Sequence, residues 1–561
     1  MQRDSSCAFD SRSAEPRRER ELSKSGRSRS TSVTVALLVS RLLGFVRARA
    51  VAHFGGSTIA ADLVAYVLRG GNQLQVLLGE QALSASFIPL YSRFLGDGRD
   101  EDARRFAGAS LGLLTVASAL GVALGVVFAP WLVAISYPGH LTEPETVDLI
   151  VRGVRYVLPM AGVLVVSAWC LAVLTSHHRF FLPYAAPALW NLSTIGVLVI
   201  AMRGRQGEED PTRLVLAVCA GALLGGLAQL GVQLPTTLKV LGGLRLSLSR
   251  RVEGIDDALR RFVPAVLARG SGSLSGWLDF VLASFLATGA AATLERAQRL
   301  YLLPIALFAT AVAVVELPEL SRLGDDERRE LLGQRLAAAF RRASFLVVPT
   351  MVGFLLFGVS LVGAVYQSGR FGRADALLVA VVLATYSVGL VPASASRLLQ
   401  NGFFVWGDTK TPAVLGFLRV ALAGLIGGGT MLLFDRISVA QLNPELQGGG
   451  GLFLGAVGLA LGSACGSWFE MLWLARRLKS RHGGAPLPWS FVVRCVLRAA
   501  CLGIPIAWLT RGLNWHPALV AALTVGIYAL GSLGWSSLRG VPEAQQWLGR
   551  FSRLSSRLRG S

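Results

Sequence analysis

The stretch Phe106-Ala-Gly-Ala-Ser-Leu-Gly-Leu-Leu-Thr-Val-Ala-Ser-Ala-Leu-Gly-Val-Ala-Leu-Gly-Val-Val-Phe128 decides the fold class. It contains no charged side chain. At about 1.5 Å per residue, a helix of this length crosses the roughly 30 Å hydrocarbon core of a bilayer. Lipid offers no partner to a free amide or carbonyl, so a helix is the form that such a stretch takes there. Comparable blocks recur along the 561-residue chain, centred near Leu43, Leu77, Leu120, Val163, Leu192, Leu224, Gly272, Ala309, Phe354, Leu383, Ala423, Leu461, Cys501 and Val525. Composition agrees: 53% of residues are hydrophobic and 16% charged, where a soluble chain carries roughly 25% charged residues. The reading is an all-α polytopic membrane protein of about fourteen transmembrane helices, a transporter rather than an enzyme.

The net charge of +21 would suggest nucleic acid in a soluble protein. Here the cations collect in alternate loops, which excludes that partner. Arg93, Arg99, Arg104 and Arg105 follow the second span; Lys239, Arg245, Arg250 and Arg251 follow the sixth; Arg476, Arg477, Lys479 and Arg481 follow the twelfth. The intervening loops at 137–148 and 288–293 carry no Lys or Arg. The positive-inside rule then places the cationic loops and both termini in the cytoplasm. The expected organisation is a disordered basic tail over 1–31, an N-terminal lobe of six spans over 32–240, a C-terminal lobe of six over 255–480, two extra spans over 488–540 and a basic tail over 541–561. The six cysteines show neither CxxC nor Cys/His spacing, so they read as packing residues.

The two lobes resemble each other. Pro89-Leu-Tyr-Ser-Arg-Phe-Leu-Gly-Asp recurs as Pro318-Glu-Leu-Ser-Arg-Leu-Gly-Asp, Tyr137-Pro-Gly as Tyr366-Gln-Ser-Gly, and Ala186-Pro-Ala-Leu-Trp-Asn beside Thr411-Pro-Ala-Val-Leu-Gly. Matches in one order, six spans apart, indicate a duplicated unit with the substrate site between the copies.

Charges inside spans are expensive, so they face a cavity or a partner. They concentrate in the first, second, seventh and eighth spans, which open the two halves: Arg41, Arg47 and Arg49; Asp62, Arg69 and Glu80; Arg269 and Asp279; Glu295, Arg296, Arg299 and Glu316. A guanidinium matches phosphate oxygens with a planar fork, so arginines around a wet cavity suit an anionic headgroup, above all a pyrophosphate. Arg41 and Arg47, six residues apart within one span, read as cavity residues. Arg49, Arg69 and Glu295 read as reaching to the interface from span ends. His177-His178 reads as a solvated turn, and Gly448 to Gly451 as a flexible loop without a Walker lysine.

Around these charges the sequence resembles the MurJ (MviN) lipid II flippases. The resemblance runs through Ser40-Arg-Leu-Leu-Gly-Phe-Val-Arg47, Asp62, Gly79-Glu-Gln-Ala-Leu-Ser-Ala-Ser-Phe-Ile-Pro89, Ala283-Ser-Phe-Leu-Ala, Gln298-Arg-Leu, Leu317-Pro-Glu-Leu-Ser, Gly369-Arg-Phe, Tyr386-Ser-Val-Gly-Leu and Asp408-Thr-Lys-Thr-Pro412. It covers roughly residues 33 to 480. It implies two lobes of the multidrug/oligosaccharidyl-lipid/polysaccharide exporter type, with lipid II as the anionic, lipid-linked substrate. It also implies a bacterial inner-membrane location, a role in peptidoglycan biosynthesis, and cell-wall synthesis proteins as partners. Arg41 and Arg47 match the family's first-span arginines, Asp62 and Glu80 its second-span acids, and Arg299 its eighth-span arginine. Ala48, Gln75 and Gln298 stand where the family carries charges.

The expected activity is flipping of lipid II by alternating access, with Arg41, Arg47, Asp62, Glu80 and Arg299 as substrate-binding residues and no catalytic residue. The alternatives are export of another lipid-linked glycan or small molecule, and a non-transporting cell-wall scaffold. No ATP site is visible, so membrane potential or an ion gradient would drive transport. Asp279 aligns with a family sodium ligand, with Ser273 and Ser275 nearby. The competing expectation pairs it structurally with Arg269 or Arg419.

Overall fold

The computed structural model describes residues 15–204, 210–309, 325–442, 451–482, 487–510, 513 and 515–545; within its helices some side chains, including those of Arg269 and Ser273, lie outside the description. Among the described residues, fourteen helical passes follow one another. In the first half they are α1 (Glu15–Gly55), α2 (Ile59–Leu78 continuing as Glu80–Gly96), α3 (Asp100–Val127), α4 (Pro144–Ser176), α5 (Phe181–Ala185 continuing as Pro187–Met202) and α6 (Pro211–Leu241). In the second half they are α7 (Ile255–Ala283), α8 (Ala290–Pro304), α9 (Asp325–Tyr366), α10 (Arg373–Ser387 continuing as Leu390–Val405), α11 (Lys410–Phe434) and α12 (Gly455–His482). The final pair is α13 (Trp489–Thr510) and α14 (Pro517–Leu538). Each expected span centre among the described side chains falls inside its own pass.

Apolar side chains point outward as well as inward. Ile200, Leu425, Trp508 and Leu530 are among the most exposed residues of the chain. Only 17% of the most apolar window of α11 is buried within the protein. Such a surface would not stay monomeric in water and fits contact with lipid tails. Among the described residues, nine passes are long and apolar enough to span a bilayer, and the α10 halves, bent by 41°, make a tenth. The other four, α1, α2, α7 and α8, are where the intramembrane charges concentrate; Arg397, Arg419 and Glu470 lie in α10, α11 and α12.

Breaks occur where residue chemistry demands them. α2 divides at Gly79. α8 passes into a wider turn over Ile305–Ala309 directly after Pro304, because proline removes one donor and clashes with the carbonyl four residues back. Within the first lobe α4 packs on α2, α3 and α6, and α5 on α1 and α6. In the second, α10 packs on α8, α9 and α12, and α11 on α12. The pair α13–α14 packs on α9.

The duplication is visible in three dimensions. Tyr137, after α3, donates its hydroxyl to the Tyr66 carbonyl of α2 at 2.9 Å; Tyr366, ending α9, donates to the Arg296 carbonyl of α8 at 3.5 Å. Two residues beyond the first tyrosine and three beyond the second, a glycine lies against the opposite lobe. A Cβ on Gly139 would stand 2.0 Å from the Ser284 carbonyl oxygen after α7, and one on Gly369 would stand 2.5 Å from that of His53 in α1. The repeat segment from Pro318 to Gly324 lies outside the described residues.

Both tails differ from expectation at their inner ends. The backbone is helical from Glu15, within the stretch read as disordered. After α14, Val541 and Ala544 are buried and Glu543 pairs with Arg341 of α9 at 3.1 Å, so the chain folds back before residue 546.

Candidate functional site

The two lobes meet along α1, α2, α7, α8 and the end of α9. Between them lies a cavity of about 340 Å³ whose charged lining residues are Arg47, Arg69, Glu295 and Arg299. Arg47 is buried; its Nε donates to Asn191 Oδ1 at 3.0 Å and its guanidinium lies 4.4 Å over the Trp190 ring. Arg299 Nη2 pairs with Glu295 Oε1 at 2.5 Å, one helical turn away, and Nη1 donates to the Gly44 carbonyl of α1 at 3.2 Å. Asn72, Gln73 and Phe280 complete much of the wall. The excess is positive, three guanidiniums against one carboxylate.

One end of this interface is latched. Asp62 is buried, and its carboxylate accepts the amide of Gly289 at 2.5 Å and that of Ala292 at 2.7 Å. These amides belong to the first turn of α8, which has no intrahelical acceptors for them, and the negative charge meets the positive end of the helix dipole. In return, Arg296 of α8 donates to the Gly56 carbonyl at 2.5 Å and to Ser57 Oγ at 3.3 Å. Arg49 of α1 holds the end of α9 through the carbonyls of Ala364, at 2.7 Å, and Gln367, at 3.2 Å. The Gly139–Ser284 and Gly369–His53 approaches lie in the same layer. Gly139 donates to Ser284 Oγ at 3.1 Å, and Arg370 N to the His53 carbonyl at 2.9 Å.

Of the residues singled out in sequence, Arg47 and Arg299 therefore meet at the cavity, and Asp62 serves the latch. Arg41 and Glu80 are exposed and do not line the cavity. Arg69, Glu295, Trp190 and Asn191 do line or support it. Their signal was present: Trp190-Asn191 ends one repeat motif, and Arg69 and Glu295 are charges inside spans. Arg69 and Glu295 face the cavity rather than the interface to which they were assigned. His177 is half-buried, and its Nε2 lies 2.9 Å from the Tyr91 hydroxyl.

A second polar group lies within the C-terminal lobe. Gln298 Nε2 donates to Asp279 Oδ2 at 3.0 Å and to the Tyr386 hydroxyl at 2.9 Å. Glu470 of α12 accepts from Gln400 at 3.0 Å and pairs with Arg419 at 3.6 Å. The charges acting on Asp279 are the guanidiniums of Arg69 and Arg419. Sodium requires several oxygen ligands. Asp279 instead faces an amide donor and two cations, and among the described residues no cluster of three His, Cys, Asp or Glu side chains could hold a metal.

Two duplicated six-helix lobes, a polar cavity between them and a latch across one end define a membrane transporter of the multidrug/oligosaccharidyl-lipid/polysaccharide exporter fold. The profile of the family described as lipid II flippase MurJ matches residues 51–526, and the chain belongs to that family. Similar proteins include a probable lipid II flippase MurJ of Aquifex aeolicus, 25% identical over 502 residues and spanning 89% of this chain and 91% of that one. The lipid II flippase MurJ of Burkholderia cenocepacia is 27% identical over 484 residues, 85% of this chain and 89% of its own. Among solved structures, a lipid II flippase MurJ in an inward closed conformation superposes with a TM-score of 0.70 at 20% identity, covering 90% of this chain and 98% of that one. An inward-facing multidrug transporter of the MATE family superposes with 0.57, covering 79% and 95%. These superpositions establish the fold.

Proposed function

We propose that this chain moves lipid II, the lipid-linked peptidoglycan precursor, from the cytoplasmic to the outer leaflet of the bacterial inner membrane by alternating access. The observation that carries the reading is the guanidinium-lined cavity between lobes latched at one end by Asp62. An anionic headgroup enters from the unlatched, cytoplasmic end and its diphosphate meets Arg47 and Arg299. The hydrocarbon chain stays in the bilayer, where a groove of about 300 Å³ with a largely apolar lining between α9, α13 and α14, including Phe308, Phe357 and Tyr528, offers it a path. The lobes then rock and the latch releases. Membrane potential drives the step, since a unit charge crossing 100 mV is worth about 2.3 kcal/mol.

The test is growth of a bacterium depleted of its own flippase. The wild-type chain should restore growth. Arg47→Ala should not, while accumulating normally, because Arg47 contacts substrate. Arg41→Ala, outside the cavity, should restore growth as the wild type does. A chain that acts only by recruiting cell-wall synthesis enzymes would not restore growth even as the wild type, and that result would reject transport.

A further inference from the structure

The chain between α6 and α7, residues 242–254, is not helical and lies on the side that the positive-inside rule assigns to the cytoplasm. It is clamped to the first lobe. A Cβ on Gly108 of α3 would stand 2.1 Å from the Arg245 carbonyl oxygen, and one on Gly112 would stand 2.3 Å from that of Ser247. These glycines let the linker backbone lie directly on the helix. Glu253 accepts from both Nη groups of Arg99, at 3.0 and 2.5 Å. Leu244 and Val252 pack against the core of the first lobe.

Between those two pegs the side chains turn the other way. Leu246 and Leu248 are 68% and 61% exposed. Arg245, Arg250 and Arg251 are exposed, and their guanidiniums have no hydrogen-bond or ion-pair partner among the described residues. The backbone is provided for locally: Ser247 Oγ accepts the Ser249 amide at 3.1 Å, and Ser249 Oγ accepts that of Arg251 at 3.2 Å. Such pairing matters where water is scarce, because a bare amide is costly there. The linker touches α3 within its apolar run, since Gly112 lies about 9 Å beyond Phe106, where that run begins. α3 itself is peripheral, with 28% of its most apolar window buried in the protein. The two leucines are thus presented beside a lipid-facing helix.

We propose that the interlobe linker is a membrane anchor, with Leu246 and Leu248 seated among the acyl chains of the cytoplasmic leaflet and Arg245, Arg250 and Arg251 on the phosphates of anionic phospholipids. Apolar side chains interleaved with basic ones bind such an interface by buried area and by charge together. From residue 239 to 261 the sequence carries six cations against three carboxylates, and Glu253 is already engaged by Arg99. The cytoplasmic leaflet carries the negative surface potential, so the two charges complement each other. None of the linker residues lines the central cavity, and the anchor does not depend on what the chain transports.

The experiment uses the full-length protein in nanodiscs of phosphatidylcholine, doped in turn with phosphatidylglycerol or phosphatidylcholine bearing a diazirine in the acyl chain. After illumination, lipid adducts are located by peptide mass spectrometry, with the exposed Leu425 of α11 as the internal control. Leu246 and Leu248 should be labelled, and by phosphatidylglycerol at least about tenfold more than by phosphatidylcholine, since each basic residue near an anionic surface contributes about fivefold. The triple variant Arg245→Gln, Arg250→Gln, Arg251→Gln should lose that preference. The double variant Leu246→Ser, Leu248→Ser should lose labelling of the linker by either lipid. All five side chains are exposed, and unchanged labelling of Leu425 verifies that the variants fold. Labelling of Leu425 without labelling of the wild-type linker would place the leucines in water or against a soluble partner and overturn the anchor. Equal labelling by both lipids, unchanged in the arginine variant, would overturn the assignment to anionic phospholipid.

Discussion

The Asp62 carboxylate accepts the Gly289 amide at 2.5 Å across 227 residues of sequence, so a side chain of α2 completes the first turn of α8 in the opposite lobe. Alternating access requires contacts that can be made and broken as a unit. A helix terminus closed by a carboxylate from the other lobe is such a contact. On opening, water can replace the carboxylate at the amides, so the cost of release stays small.

Asp62→Asn tests this relationship. Asparagine keeps an acceptor and loses the charge that meets the helix dipole, a loss of about 1–2 kcal/mol. Spin labels at Leu141 and Phe285, one on each lobe and both exposed, should show a larger long-distance population in the variant. An unchanged distance distribution would mean that Asp62 does not hold the lobes together.

Gly139→Ala should act in the same direction by steric force. The added methyl would overlap the Ser284 carbonyl, and overpacking of this kind typically costs about 1–3 kcal/mol. Ala65 is buried and lines the cavity. A cysteine placed there should react with an impermeant thiol reagent applied outside cells faster in the Gly139→Ala background than without it.

The sidedness of the latch follows from the loops. A cysteine at Thr142, exposed in the loop before α4, should be labelled from outside intact cells, and one at Ser249, exposed between the lobes, should be protected. The reverse pattern would place the latched end in the cytoplasm and invert the direction of transport.

Asp279→Asn should lower accumulation of the protein more than it alters any response to sodium, because Asp279 is engaged by Gln298 and faces two guanidiniums. Transport into vesicles with and without a sodium gradient measures this. A strong sodium requirement that disappears in the variant at unchanged protein level would place a sodium site at Asp279.

Asp408, in the loop before α11, accepts the Thr411 amide at 2.9 Å and hydroxyl at 2.7 Å and pairs with Arg481 at 3.0 Å. The Thr411 hydrogen bonds foremost, and Arg481 after them, hold its carboxyl below the usual range. A depressed folded value means that the carboxylate stabilises the fold at neutral pH, and that this contribution is lost as the pH falls through that value. Asp408→Ala should therefore lower thermal stability by about 1 kcal/mol at pH 7, and the gap to the wild type should narrow below about pH 4.

The architecture was legible because hydropathy acts locally: the hydrocarbon core penalises every charge it meets, whichever helix carries it. Gln298 shows the limit of that legibility. In sequence it is a missing acid; in the fold it is the donor that ties Asp279 to Tyr386. Arg41 and Arg47 show it again, since both lie in one span and only the second turns into the cavity.

Sequence by itself determined that the chain crosses a membrane about fourteen times, that its halves are copies and that charge gathers where the copies begin. Tertiary structure alone decided which charges reach the cavity and what each one touches. Asp62 closes the first turn of α8, Arg47 lies between Asn191 and Trp190, Arg299 pairs with Glu295, and Arg69 rests on the Phe280 ring. The reason is physical: insertion into lipid depends on each segment's own composition, whereas the partner of a buried charge is set by which residues, hundreds of positions apart, the packed lobes bring within about 3 Å.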